Sequence, residues 1–134
     1  KKRFDRGDST VLLGTGAFWE GVDFVQADRM IELVTRMPFD NPKDPLAKKL
    51  DTHLKAQGKQ PFWDYFLPLA VLKLKQAIGR TQRRPQQKSA VVILDSRILH
   101  RSYGPLVYKA LEEDFNISSQ NFAKSLTEIS EFLL

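Results

Sequence analysis

Gln76-Ala77-Ile78-Gly79-Arg80-Thr81-Gln82-Arg83-Arg84, followed beyond Pro85 by Ser89-Ala90-Val91-Val92-Ile93-Leu94, reads as a helix that leads into a strand. At about 100° per residue, Gln76, Gly79, Arg80 and Arg83 fall on one helical face. Leu67, Ala70, Val71, Leu74, Ala77 and Ile78 point roughly the other way, with Leu72 the exception on the polar side. Gly79 costs about 1 kcal/mol relative to Ala inside a helix, which is tolerable where a ligand must approach the backbone closely. A triphosphate suits such a face, because guanidinium groups stay charged and bind phosphate oxygens two-pronged. A solvated basic surface would show the same spacing, so spacing alone leaves both readings open.

Outward from this unit the chain alternates strands with helices. Thr10-Val11-Leu12-Leu13, ended by Gly14-Thr15-Gly16, and Met30 to Thr35, ended by Arg36-Met37-Pro38-Phe39, are further strand candidates. Asp44-Pro45 reads as the cap and first residue of a helix with Leu46, Leu50 and Leu54 at steps of four, stopped by Gly58. The arginine-bearing helix is expected to begin near residues 65 to 67, with Pro68 in its first turn, and to stop before Pro85. Phe62, Trp63, Tyr65 and Phe66 ahead of it suit a core better than a stacking platform. Gly104-Pro105 opens a helix through about Asp114, and a last helix over 119–134 turns Phe122, Leu126, Ile129 and Leu133 inward. This order predicts an α/β domain, a three-layer sandwich around a mostly parallel sheet, whose ligands sit beyond the carboxyl ends of the strands. Three polar elements fall there: 14–24, 36–40 and Asp95-Ser96-Arg97.

Gly16-x4-Gly21 imitates the start of a phosphate-binding loop, but Val22-Asp23 stands where Lys followed by Ser or Thr is required. No other GxxxxGK[ST] occurs in the chain. If ATP is the ligand, a second domain must supply that loop. The 134 residues suit one domain, and 42% hydrophobic with 28% charged residues is ordinary for a globular chain. The absence of cysteine excludes a disulfide and an iron-sulfur cluster in this chain, and two separated histidines, His53 and His100, make a zinc site an unexpected feature. A net charge of +5 suits an anionic partner. No apolar run reaches the roughly 20 residues of a membrane span, so no membrane partner is expected. The opening Lys1-Lys2-Arg3-Phe4 reads as a cut from something longer.

Taken together, Gly14-Thr15-Gly16-Ala17-Phe18-Trp19-Glu20-Gly21-Val22-Asp23-Phe24 and Gln76-x-x-Gly79-Arg80-x-x-Arg83 resemble motifs V (14–24) and VI (76–84) of superfamily 2 helicases. Phe18-Trp19-Glu20-Gly21-Val22-Asp23, Met37-Pro38-Phe39 with Asp44-Pro45, and Asp95-Ser96-Arg97 ahead of Tyr103-Gly104 are similar to the DinG/XPD branch. The resemblance implies the second of two RecA-like motor domains of a cytoplasmic, ATP-dependent DNA helicase acting 5′ to 3′ on single-stranded DNA. It implies that ATP and Mg2+ are held mainly by the first RecA-like domain of the same polypeptide, which is the expected partner. Arg80 and Arg83 would then be arginine fingers, with Gln76 and Gly79 lining the same surface. Glu20, Gly21 and Asp23 would couple the nucleotide and DNA sites. Thr15 and Gly16 would hold a strand phosphate, and Trp19 would stack a base.

Two departures qualify the resemblance. Only Lys1 to Asp8 precede motif V, so the domain is expected to lack its first βα unit, and Gln82 stands where an apolar residue is usual in the family. Read from the residues alone, Glu20 to Asp23 would be a turn with capping carboxylates, Trp19 a core residue, and Asp95 with Arg97 a structural pair. A non-catalytic module binding single-stranded nucleic acid, or a domain that only docks on a partner, remains the competing function. The Gln76/Arg80/Arg83 face discriminates among them, since only a motor needs it against another domain's nucleotide.

Overall fold

Two apolar runs form the sheet: β1, Arg29–Val34, and β2, Lys88–Ile93. The computed structural model describes residues 11–14, 28–81 and 84–134. The strands pair in parallel with Arg29 opposite Lys88 and Val34 opposite Ile93. Side chains alternate along a strand, so Met30, Glu32, Val34, Ser89, Val91 and Ile93 share one face, and Arg29, Ile31, Leu33, Lys88, Ala90 and Val92 the other. A parallel pair needs a long crossover, here made by α1 (Pro45–Ala56), a π-helical turn (Phe62–Phe66) and α2 (Leu67–Thr81).

α1 has the predicted ends. The Asp44 carboxylate accepts from the backbone of Leu46 at 2.8 Å and Ala47 at 3.3 Å, and Pro45 opens the helix. At the other end Gly58, with φ 73°, lets Gly58 N donate to Lys55 O and Lys59 N to Leu54 O, a paired closure of the last carbonyls. Of its three spaced leucines only Leu54 is buried. α2 begins at Leu67, so Pro68 does fall in its first turn, yet the helical path starts earlier. The backbone N–H of Leu67 reaches Phe62 O, five residues back, and this wider turn leads into a residue that has no N–H to give.

α2 lies across the first sheet face and buries Leu67, Ala70, Leu74, Ala77 and Thr81, a helical stripe. Beside it α3 (Arg97–His100) turns into α4 (Gly104–Glu112), which contributes Val107 and Leu111. These join Val34, Met37 and Tyr103 in one apolar cluster. α5, Phe122–Leu133, packs on the opposite side of β2, and its Phe132 ring lies 5.8 Å from the Lys88 ammonium. Helix, parallel sheet and helix make the three-layer α/β arrangement expected.

Two expectations are corrected. Val11–Gly14 form no strand, and Val11 and Leu13 are 86% and 87% exposed. An apolar run becomes a strand only where a neighbour offers ladder partners and a surface to cover it, and β1 and β2 pair with each other instead. α5 is likewise less inward than its pattern: Ile129 and Leu133 are half-buried, whereas Phe122 and Leu126 are 58% and 49% exposed. Its apolar stripe is wider than the strip of sheet beneath it.

Candidate functional site

The face of α2 turned from the core carries Gln76 and Gly79 exposed and Arg80 half-buried. A methyl group added at Gly79 would meet nothing within 4 Å, so space is open directly above the backbone there. The lysines of the same helix are engaged elsewhere. Lys73 Nζ lies 2.5 Å from Asp40 Oδ1, and Lys75 Nζ 2.7 Å from Asp114 Oδ2. The amide of Gln76, the guanidinium of Arg80 and the bare backbone at Gly79 form a donor set suited to phosphate oxygens.

α2 runs antiparallel to the strands, which places its last turn at their amino ends. Thr81 Oγ1 donates to Ile78 O at 2.7 Å and lies 3.3 Å from Ser89 Oγ, while Arg84 Nη2 lies 2.9 Å from Asp28 Oδ1. Glu32 shares the Ser89 face of the sheet. It is half-buried, and its Oε2 is buried without a hydrogen-bond partner. Burial pushes the Glu32 carboxyl up from 4.5, and the positive charge of Arg80 partly offsets that rise. A carboxyl raised on folding stabilises the fold below its ordinary value and loses that contribution as pH rises through the folded value. At neutral pH an ionised Glu32 is therefore a cost to stability.

Gln76, Gly79 and Arg80 are thus brought onto one surface, as their spacing predicted. Thr15, Gly16, Trp19, Glu20, Gly21, Asp23 and Arg83 lie outside the described residues. Sequence reasoning missed Glu32. The signal for it was present as a lone carboxylate inside Met30-Ile31-Glu32-Leu33-Val34, an otherwise apolar strand.

Two of the three polar elements expected at the carboxyl ends do converge there. Asp95, with its side chain 4% exposed, accepts from Met37 N at 2.8 Å and from Arg97 N at 3.1 Å, Nε at 2.8 Å and Nη2 at 2.6 Å. The Arg97 guanidinium lies 5.8 Å from the Phe39 ring centroid, and Phe39 in turn contacts Phe62 and Tyr103 with centroids 5.7 and 5.6 Å away. Asp95 therefore ties the loop after β1 to the end of β2. This cluster and Arg80 stand at opposite ends of the strands, separated by most of α2, whose 15 residues extend about 22 Å. An apolar groove of about 360 Å³ between α2 and α4, lined by Trp63, Val71, Leu72 and Leu106, coincides with neither.

The hydrogen bonds from Arg97, above all, hold the Asp95 carboxyl down from 3.8 to about 2, with the Met37 amide assisting against desolvation. A carboxyl lowered on folding stabilises the fold above its ordinary value and loses that contribution as pH falls through the folded value. For a drop from 3.8 to about 2 the contribution at neutral pH is roughly 2 kcal/mol. Asp95→Asn should lower stability by about that amount at pH 7, and the gap to wild type should close between about pH 4 and pH 2. Denaturant unfolding of both proteins across that range measures it. A gap independent of pH would show that shape, and not charge, makes the latch.

Comparison with known proteins gives a match to the helicase C-terminal domain family over residues 1–114. The chain is similar to the 3'-5' exonuclease DinG of Bacillus subtilis, 40% identical over 110 residues that cover 82% of this chain and 12% of that protein. It is 33% identical over 133 residues to the ATP-dependent DNA helicase YoaA of Haemophilus influenzae, covering 98% of this chain and 20% of that protein. The ATP-dependent helicase DinG of Mycobacterium tuberculosis is 33% identical over 110 residues, covering 82% of this chain and 17% of that protein. The chain therefore spans between 12% and 20% of the length of these relatives.

Proposed function

The chain belongs to the helicase C-terminal domain family, and from that membership we propose that it is the second motor domain of an ATP-dependent DNA helicase of the DinG type. In this reading the nucleotide lies between two RecA-like domains. The first domain supplies the phosphate-binding loop that this chain lacks and, with it, the Mg2+ that offsets phosphate charge. Gln76 and Gly79 line the facing surface, and Arg80 and Arg83 donate to the transferred phosphoryl group as negative charge develops on it. Glu20, Gly21 and Asp23 relay nucleotide state to the DNA side, where Thr15 and Gly16 hold a phosphate and Trp19 stacks a base, with movement 5′ to 3′ along the single strand.

The observation that carries the proposal is the family match joined to the placement of Gln76, Gly79 and Arg80 on the flank of α2 that the core leaves uncovered. A surface held only for solubility would have no use for a glycine there. Gly79→Ala separates the readings. Nothing within 4 Å opposes the methyl group, so the substitution should stabilise the domain by roughly 0.5 to 1 kcal/mol through helix propensity and the unfolded chain. In the full-length protein it should nonetheless lower DNA-stimulated ATPase activity, because the methyl group occupies the approach of a phosphate. Thermal unfolding and ATP turnover on one preparation give both readouts. Higher stability with wild-type turnover would leave a solvated face and remove the nucleotide from it.

A further inference from the structure

Glu32 breaks an apolar strand on the very face that α2 covers. A carboxylate there, with Oε2 buried and unpartnered, lowers stability relative to a neutral or apolar residue. Such a group calls for an explanation in what it faces. Glu32 and Ser89 share a sheet face, Ser89 meets Thr81, and the residue before Thr81 is Arg80, whose charge bears on Glu32. Other cations of the α2 region have other carboxylates: Lys73 has Asp40, Lys75 has Asp114, and Arg84 has Asp28.

We propose that Glu32 is a positioning residue whose carboxylate, fixed on β1, holds the Arg80 guanidinium in register at the nucleotide-facing surface. The proposal rests on the role given above to Arg80. A guanidinium presents five donors in a planar fork, so a carboxylate along one edge leaves other donors for a phosphate. A long side chain oriented in advance loses less freedom on reaching the transition state, and the benefit appears in kcat more than in ground-state binding. A negative charge beside a cation that must meet phosphates also keeps that cation from folding back onto other backbone carbonyls. The strand is suited to the task because its backbone is fixed by the β2 ladder on one side and by the covering helix above.

The test uses the full-length protein with four variants: Glu32→Gln, Glu32→Asp, Arg80→Ala and the Glu32→Gln/Arg80→Ala double. Glu32→Gln should lower kcat for ATP hydrolysis about tenfold, with KM for ATP little changed. Its Tm should be no lower than wild type, since a buried charge has been removed. Glu32→Asp keeps the charge and should retain more activity than Glu32→Gln. In the Arg80→Ala background Glu32→Gln should have no further effect, because the group it positions is gone. An unchanged kcat in Glu32→Gln, or an equal loss with and without Arg80, overturns the proposal. So does a loss of kcat that accompanies a lowered Tm in both Glu32 variants, which would make Glu32 a structural residue. Arg80→Ala alone reports on the motor reading itself: wild-type kcat in that variant would remove Arg80 from the chemistry, whatever Glu32 does.

Discussion

Arg83→Ala, introduced into the full-length protein, lowers kcat for ATP hydrolysis by at least about 10³-fold and leaves nucleotide affinity nearly intact. An arginine finger acts on charge that develops in the transition state, whereas the ground state is held by the other domain's phosphate loop, its Lys and magnesium. Arg83→Lys should recover little, because an ammonium is a point charge and cannot reproduce a planar two-pronged contact. Arg83 sits three residues beyond Arg80, the helical step that keeps both on one face. A surface cation with no such duty would give a nearly silent variant, within roughly 0.5 kcal/mol of wild type in stability. Pre-steady-state ATP turnover and nucleotide titration on one preparation decide between them. Unchanged kcat would remove the finger, and lost kcat with a lowered Tm would mean only that the helix end had been damaged.

The second large effect concerns stability. Gly104→Ala should destabilise the domain by about 3 kcal/mol or more, enough to lower Tm by roughly 10 °C. A methyl carbon at Gly104 would lie 1.8 Å from Ile98 O and 2.8 Å from Ile98 C, both backbone atoms that no rotamer change can move aside. Relief requires α4 to separate from the α3 turn. That shift would displace Val107 and Leu111, which are 0% and 3% exposed in the central cluster. Thermal unfolding of the variant measures it, and a wild-type Tm would show that the two turns can part without cost. Gly79→Ala and Gly104→Ala are the same chemical change with opposite expected signs. What differs is the space around the α-carbon, which is open at one and filled at the other.

Much of the architecture was legible locally. The bounds of β1 and β2 follow from apolar runs ended by polar or proline-rich segments, and those of α1 from Asp44-Pro45 and Gly58. The helical stripe Leu67, Ala70, Leu74, Ala77 identified the buried face of α2, and with it the opposite face bearing Gln76, Gly79 and Arg80. These are consequences of backbone geometry and side-chain period, which act over a few residues and so can be read without knowing the partner. The family resemblance was also written in contiguous motifs.

Other features became decidable only in three dimensions. Asp95 reaches Met37 N across 58 positions, and the loop it closes has no local mark of that bond. The parallel register of β1 with β2 decides that Glu32 shares a face with Ser89 and comes under the turn bearing Arg80. A shift of one residue would send Glu32 to the other side of the sheet. Val11 to Leu13 and the outer stripe of α5 err in the same direction, because hydrophobicity states which surface seeks cover and not whether a neighbour supplies it. By itself the sequence determined the elements, the α/β class, the arginine-bearing face and the family. Tertiary structure alone decided the burial of Glu32 and its nearness to Arg80, the Asp95 latch and the crowding at Gly104, because each depends on contacts between segments whose separation along the chain carries no periodic signal.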